Sequence, residues 1–181
     1  LSEEQSDYLR TIKRSSDTLL TIVNDILDLS KIEAGKMELK LAPVHLVETF
    51  EKIYDLYSQQ AHLSGNTFFY HLDKKLPEWI LTDETRLIQV LSNLTSNAVK
   101  FSQKKGTINL SIRVLEQKDG LFSFKISVKD SGIGISEDDQ EKLFQSFNQL
   151  DSSSSKNYGG TGLGLAISKQ LVESLGGEIG V

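Results

Sequence analysis

The chain has 181 residues, 38% of them hydrophobic and 25% charged, which is enough apolar material for one full domain and an added element. Its formal charge of −5 and pI near 5.3 argue against a nucleic-acid surface, which needs a basic stripe to neutralise phosphates. Cysteine is absent, which excludes disulfides and thiolate metal sites, and no apolar run approaches the ~18 residues of a membrane span.

The first residue is Leu1, so the chain reads as a piece excised from a longer parent. Residues 2–34 predict one long helix. Ser2 and Gln5 form a capping box, and Glu3 and Glu4 sit where the helix dipole favours negative charge. Tyr8, Ile12, Ser15, Leu19, Ile22, Ile26 and Leu29 recur at steps of four and three, and Leu9, Leu20, Val23 and Leu27 widen the stripe. A stripe this broad suits a helical bundle better than a two-stranded coiled coil, and Gly35 supplies a left-handed cap. Two readings stay open: a helix packed on its own domain, or half of a helical hairpin whose partner lies outside this sequence. The second is favoured because no helix of equal length follows, and it leaves the Ile22/Ile26/Leu29 seam partly bare, open to weak self-association or to packing onto the domain that follows.

Met37, Leu39 and Leu41 then alternate with charged residues and predict a short strand. A helix follows, with Leu46, Val47, Phe50, Ile53, Tyr54 and Tyr57 on one face. Residues 67–72 and 79–81 read as strands around Leu76-Pro77. Residues 83–101 read as a helix with Leu87, Val90, Leu91, Leu94 and Ala98 inward. Residues 107–115 and 121–128 predict a hairpin across Lys118-Asp119-Gly120. Residues 151–160 carry no apolar periodicity and read as a loop. A last helix is expected over 162–175, with a strand opening at Gly176-Gly177-Glu178-Ile179. Strands and helices mix without strict alternation, which points to an α+β sandwich with helices on one sheet face.

Three clusters carry chemistry. Asn93, Asn97 and Lys100 share a helix face. Asn is a mediocre helix former, while an amide oxygen suits Mg²⁺ and an ammonium suits phosphate; the plain alternative is a pair of solvent-facing amides. Asp130-Ser131-Gly132-Ile133-Gly134 follows an apolar strand, where glycines let backbone approach a flat ligand and a carboxylate can accept from an exocyclic amine; alone it is no more than an Asp-Ser-Gly turn. Gly159-Gly160-Thr161-Gly162-Leu163-Gly164 leads into a helix and offers free N–H groups to an anion, yet its spacing matches neither the P-loop nor the dinucleotide fingerprint.

Taken together, Leu91-Ser92-Asn93-Leu94-Thr95-Ser96-Asn97-Ala98-Val99-Lys100-Phe101, Asp130-Ser131-Gly132-Ile133-Gly134-Ile135, Leu143-Phe144-Gln145-Ser146-Phe147 and Gly160-Thr161-Gly162-Leu163-Gly164-Leu165 resemble, in order, the N, G1, F and G2 boxes of sensor histidine kinases. Asp25 to Gly35 resembles the end of the second dimerisation helix of the hybrid type. The resemblance implies the Bergerat ATP-binding fold shared with gyrase, HSP90 and MutL, a two-layer sandwich of a mixed sheet and helices, here preceded by one long bundle helix. Residues 1–35 would then be the second helix of the phosphotransfer hairpin, and 36–181 the catalytic domain short of its closing strand.

It further implies ATP and Mg²⁺ as ligands, with Asp130 on the adenine amine and Gly132 and Gly134 shaping that pocket. Asn93 and Asn97 would stand at the Mg²⁺ end, with Lys100 by the phosphates. Gly160, Thr161, Gly162, Leu163 and Gly164 would form the phosphate-side hinge of a lid whose base Phe144 and Phe147 anchor; Lys156 and Tyr158 fall in that lid without an assigned contact. The implied partners are the missing histidine helix, a receiver domain of a response regulator and a second copy in a homodimer, in a cytoplasmic setting with a parent free to be membrane-anchored. None of His45, His62 and His71 precedes an acidic residue as the phosphate-accepting histidine does, so no catalytic residue is assigned and the chain alone is expected not to autophosphorylate. A hydrolase of the gyrase type would need a glutamate base where Asn93 stands, and an amide cannot take a proton from water. The remaining alternative is a nucleotide-dependent docking module without kinase activity.

Overall fold

The computed structural model describes residues 2–148 and 161–181. The loop expected over 151–160, with Lys156, Tyr158 and Gly160, lies outside them.

Helix α1 (Glu3–Glu33) opens on the Ser2–Gln5 capping box and closes with Lys31 in its last turn. Most of its apolar stripe faces outward: Tyr8, Leu9, Ile12, Leu19, Leu20, Val23, Ile26 and Leu27 are exposed. Only its end is covered, where Leu29 is 7% exposed and, with Ile32, joins a small core with Val90, Leu163, Ile167 and Leu171. An ion pair fastens the same end, Arg86 Nη1 lying 2.8 Å from Asp28 Oδ2, with Gln89 Nε2 donating to that oxygen at 3.0 Å. The end of this helix thus packs on its own chain, and the rest presents a bare face.

Strand β1 (Ala42–His45) pairs antiparallel with β3 (Trp79–Thr82), with Ala42 opposite Thr82 and His45 opposite Trp79. The expected strand at Met37, Leu39 and Leu41 does not form. Beyond Thr82 the partner chain turns into a helix, so residues before Ala42 find no ladder, and the Lys40 N–H goes instead to Asp83 Oδ2 at 2.9 Å. Helix α2 (Leu46–Leu63) starts at His45, whose Nδ1 accepts from the Glu48 N–H at 3.2 Å. Strand β2 (Thr67–Leu72) pairs parallel with β4 (Thr107–Lys118), which pairs antiparallel with β5 (Leu121–Asp130). The result is a mixed three-stranded sheet in the order β2-β4-β5.

Helix α3 (Glu84–Phe101) is capped by Asp83, 4% exposed, whose Oδ1 accepts from the Arg86 N–H at 3.1 Å. It packs with α2 on the inner sheet face, where Leu46, Phe50, Ile53, Leu91, Ile108, Leu110 and Ile112 are all but inaccessible. Period-two burial along β4 leaves Thr107, Asn109 and Arg113 on the open outer face. A short helix α4 (Glu137–Gln140) and helix α5 (Gly164–Ser174) complete the described chain. The fold is the expected α+β sandwich of a mixed sheet and helices with one long helix in front. The strand expected from Gly176 is not formed: Gly176 ends α5 at φ +81, and residues 176–181 join no ladder among the described residues.

Candidate functional site

Three elements, helix α3, the exit of β5 and the entry to α5, line one open cleft. One wall is helix α3. Burying Leu87, Leu91 and Ala98 under the sheet leaves Asn93, Asn97 and Lys100 half-buried along the cleft. One end is the exit of β5, where Asp130, Gly132 and Gly134 lie; the other is the entry to α5, with Thr161, Gly162 and Gly164. Phe144 also lines the cleft, whereas Leu163 is core at 1% exposed. Phe147 is exposed, has a left-handed backbone (φ 63) and does not line the cleft. Gly160 falls outside the described residues.

Asn93 is held rather than free. Its Nδ2 donates to Ser168 Oγ at 2.8 Å, and its amide lies so close to the Gly164 backbone that a Cβ there would collide with it. Asn97 makes no side-chain hydrogen bond among the described residues, so its amide oxygen is available to a ligand. Lys100 lies 4.8 Å from the Phe101 ring centre, and burial pushes its pKa below 10.5. An ammonium on a cleft wall is a group that suits phosphate.

At the β5 exit Asp130 is exposed, and its Oδ1 accepts from the Gly132 N–H at 2.8 Å. Gly132 meets Phe101 so closely that a Cβ would stand 2.5 Å from the Phe101 carbonyl oxygen. At the α5 entry, Gly162 takes φ +70, a conformation that costs a side-chain-bearing residue about 1 kcal/mol or more, and its carbonyl accepts from the Phe147 N–H. The α5 N-terminus has no side-chain cap, and Gly164 and Leu165 of its first turn line the cleft. Among the described residues no group of three or more His, Cys, Asp or Glu side chains could hold a metal ion. A cation here fits only as one shared between an amide oxygen and a ligand's own oxygens, the manner in which Mg²⁺ keeps most of its coordination outside the protein.

Two contributors escape a local reading of the sequence. Ser168, 2% exposed, is visible only as a polar residue on the inward face of α5, in step with Gly164, Ile167 and Leu171. Asp25 of α1 lines the cleft and hydrogen-bonds Thr161; burial, then the charge of Asp28, pushes its carboxyl pKa up. The signal was an acidic pair three residues apart beside the apolar seam.

Residues 82–181 match the family described as histidine kinase-, DNA gyrase B- and HSP90-like ATPase. Residues 1–35 match the His Kinase A (phospho-acceptor) domain. Among characterised proteins, the chain is 44% identical over 181 residues to the sensor histidine kinase GacS of Pseudomonas protegens, covering all of this chain and 20% of that protein. It is 39% identical over 179 residues to the histidine-protein kinase BarA of Escherichia coli, covering 99% of this chain and 19% of that one. The chain thus spans about a fifth of these relatives. Full-length ShkA in complex with AMPPNP superposes with a TM-score of 0.79 at 35% identity, over 99% of this chain and 37% of that one. Histidine kinase ThkA in complex with response regulator TrrA gives 0.69 at 26% identity, over 99% and 48%.

The contact between Asn93 and Gly164 yields a direct test. Gly164→Ala is expected to displace the Asn93 amide and break its bond to Ser168, lowering stability by about 1–3 kcal/mol; denaturant unfolding of both forms measures it.

Proposed function

The chain belongs to the histidine kinase-, DNA gyrase B- and HSP90-like ATPase family, as an ATP-binding kinase domain, and from that premise we propose that its cleft holds Mg·ATP along α3, adenine at the β5 exit and phosphates at the α5 entry. The observation that supports this orientation is the placement of Asp130 at one end and of Asn93, beside the uncapped α5 N-terminus, at the other, with the Asn97 amide on the stretch of α3 between them. A carboxylate oxygen at Asp130 accepts from the adenine amine, and Gly132 and Gly134 leave room for the flat base. The N–H groups of the first α5 turn and the Lys100 ammonium receive the phosphates. Asn97, with Asn93 beside it, stands at the metal end; Mg²⁺ bound there supplies positive charge to the phosphoryl oxygens as charge develops on them. Thr161, Gly162 and Gly164, with Gly160 before them, form the hinge of a lid, and Phe144 and Phe147 lie at its base.

In this reading residues 1–35 are the second helix of a phosphotransfer hairpin and 36–181 the catalytic domain. The γ-phosphoryl group passes to a histidine on a neighbouring helix and then to an aspartate of a receiver domain. The exposed stripe of α1 fits the seam of a four-helix dimer, and the chain works in the cytoplasm of a parent that is free to be anchored. ShkA bound to AMPPNP and ThkA bound to TrrA support the nucleotide and the response regulator as ligand and partner. No helix described is long and apolar enough to cross a membrane.

Calorimetry with a non-hydrolysable ATP analogue checks the metal end: binding is expected to need Mg²⁺, and Asn97→Ala to weaken it about tenfold, the value of one charge-assisted ligand bond. Equal binding with and without Mg²⁺ would remove Asn97 from the metal. Lys100 adds a pH dependence. Its charged form attracts phosphate, and its pKa in the free protein lies below 10.5, so affinity is expected to fall as pH rises toward 10.5; in Lys100→Arg, which stays charged, it is expected to stay level. None of the three histidines lies in residues 1–35, and His45 is engaged as the α2 cap against Trp79. These 181 residues with γ-labelled ATP are therefore expected to keep no label, and stable label on His45, His62 or His71 would contradict that.

A further inference from the structure

Asp130 does not hold its own position. It is the last residue of β5, paired with Ile108, and beyond it the chain leaves the sheet. The next rung of the ladder is made by a side chain: Ser131 Oγ accepts from the Thr107 N–H at 2.7 Å, where a strand would have offered a carbonyl. One residue on, Gly132 bridges to Ser102 at the end of α3.

Ser131 in turn rests on Gly106. A Cβ at Gly106 would collide with Ser131 Oγ and stand 2.7 Å from the Gln103 carbonyl oxygen. Gly106 is fixed by Asn66, 5% exposed, whose Oδ1 accepts from its N–H at 2.9 Å. The Asn66 N–H reaches the Ala61 carbonyl at the end of α2, and the Gly106 carbonyl accepts from the Thr67 N–H at the start of β2. A continuous run of contacts thus leads from α2 through Asn66 and Gly106 to Ser131, and by one peptide bond to Asp130.

We propose that Ser131 is a positioning residue that sets the base selectivity of the cleft by fixing the Asp130 carboxylate, with Asn66 and Gly106 as its seat. This rests on the reading of Asp130 as partner of the adenine amine. Asp130 Oδ1 is already engaged by the Gly132 N–H, so the direction of its other oxygen follows the backbone at Ser131. A carboxylate held still accepts from the amine of adenine and repels the carbonyl oxygen that guanine carries in that place. Freed from Thr107, the loop lets the carboxylate turn aside from that oxygen, and the discrimination shrinks.

Calorimetry with non-hydrolysable ATP and GTP analogues on the wild-type chain, Ser131→Ala and Ser131→Thr tests this, with thermal unfolding of each to show that it is folded. Ser131→Ala is expected to lose about fivefold in affinity for the ATP analogue, the worth of one hydrogen bond, and to prefer it less over the GTP analogue. Ser131→Thr keeps the acceptor oxygen and is expected to restore both. A folded Ser131→Ala with wild-type affinity and preference overturns the inference alone. A folded wild-type chain that binds neither analogue overturns the nucleotide reading itself, and the inference with it. Should Ser131→Ala unfold, hydrogen exchange of the Thr107 N–H in the wild-type chain reads the same bond. The ATP analogue is expected to slow it, and exchange unchanged at saturation overturns the proposal.

Discussion

The constraint on which the cleft depends is the approach of Gly164 to Asn93, where the α5 backbone lies against an amide of α3 with no room for a side chain between them. Eight residues further along the same helix, Gly132 meets the Phe101 carbonyl as tightly. Helix α3 therefore acts as a ruler. Eight residues separate Asn93 from Phe101, about 12 Å of helix, and that length sets the distance between the α5 entry and the β5 exit. Because the opposite face of α3 is locked into the core under the sheet by Leu87, Leu91, Ala98 and Val99, both ends of the cleft inherit the rigidity of the core. The site's geometry is a consequence of packing before it is a matter of ligands.

The electrostatics follow from that placement. A chain of net charge −5 is a poor host for a polyanion at long range, so attraction has to be local: Lys100, burdened by its own burial, and a helix N-terminus without a cap. Positive charge at either one favours an anion. The far side of the entry is acidic. Asp28 is neutralised by Arg86, while Asp25 has the Thr161 hydroxyl and a pKa pushed up by burial. The end of α1 thus touches the loop that is proposed to move, and helix and cleft are mechanically joined.

Much of this was legible in the chain because it rests on local periodicity. The helix over 83–101, the hairpin strands expected over 107–115 and 121–128 and the box residues along α3 and after β5 each show in a window of a dozen residues. What failed was pairing. Met37, Leu39 and Leu41 alternate as a strand should, but β3 ends opposite Ala42 and the Lys40 N–H is taken by Asp83; alternation proposes a strand and only a neighbour makes one. The contacts that seat the site were invisible for the same reason. Asn93 to Ser168 spans 75 positions, Asp28 to Arg86 spans 58, and Thr107 to Ser131 spans 24. Their residue types are commonplace, and only the fold brings them together.

The central claim is that a nucleotide lies along α3 from Asp130 to Gly162, and a backbone and side-chain amide NMR titration with a non-hydrolysable ATP analogue and Mg²⁺ tests it most directly. The account predicts that resonances at both ends move together and saturate at one concentration, with Gly132 and Gly134 at one end and Gly162, Gly164 and the Asn97 side-chain amide at the other. Shifts confined to one end, or centred on the outer sheet face around Asn109, would contradict it.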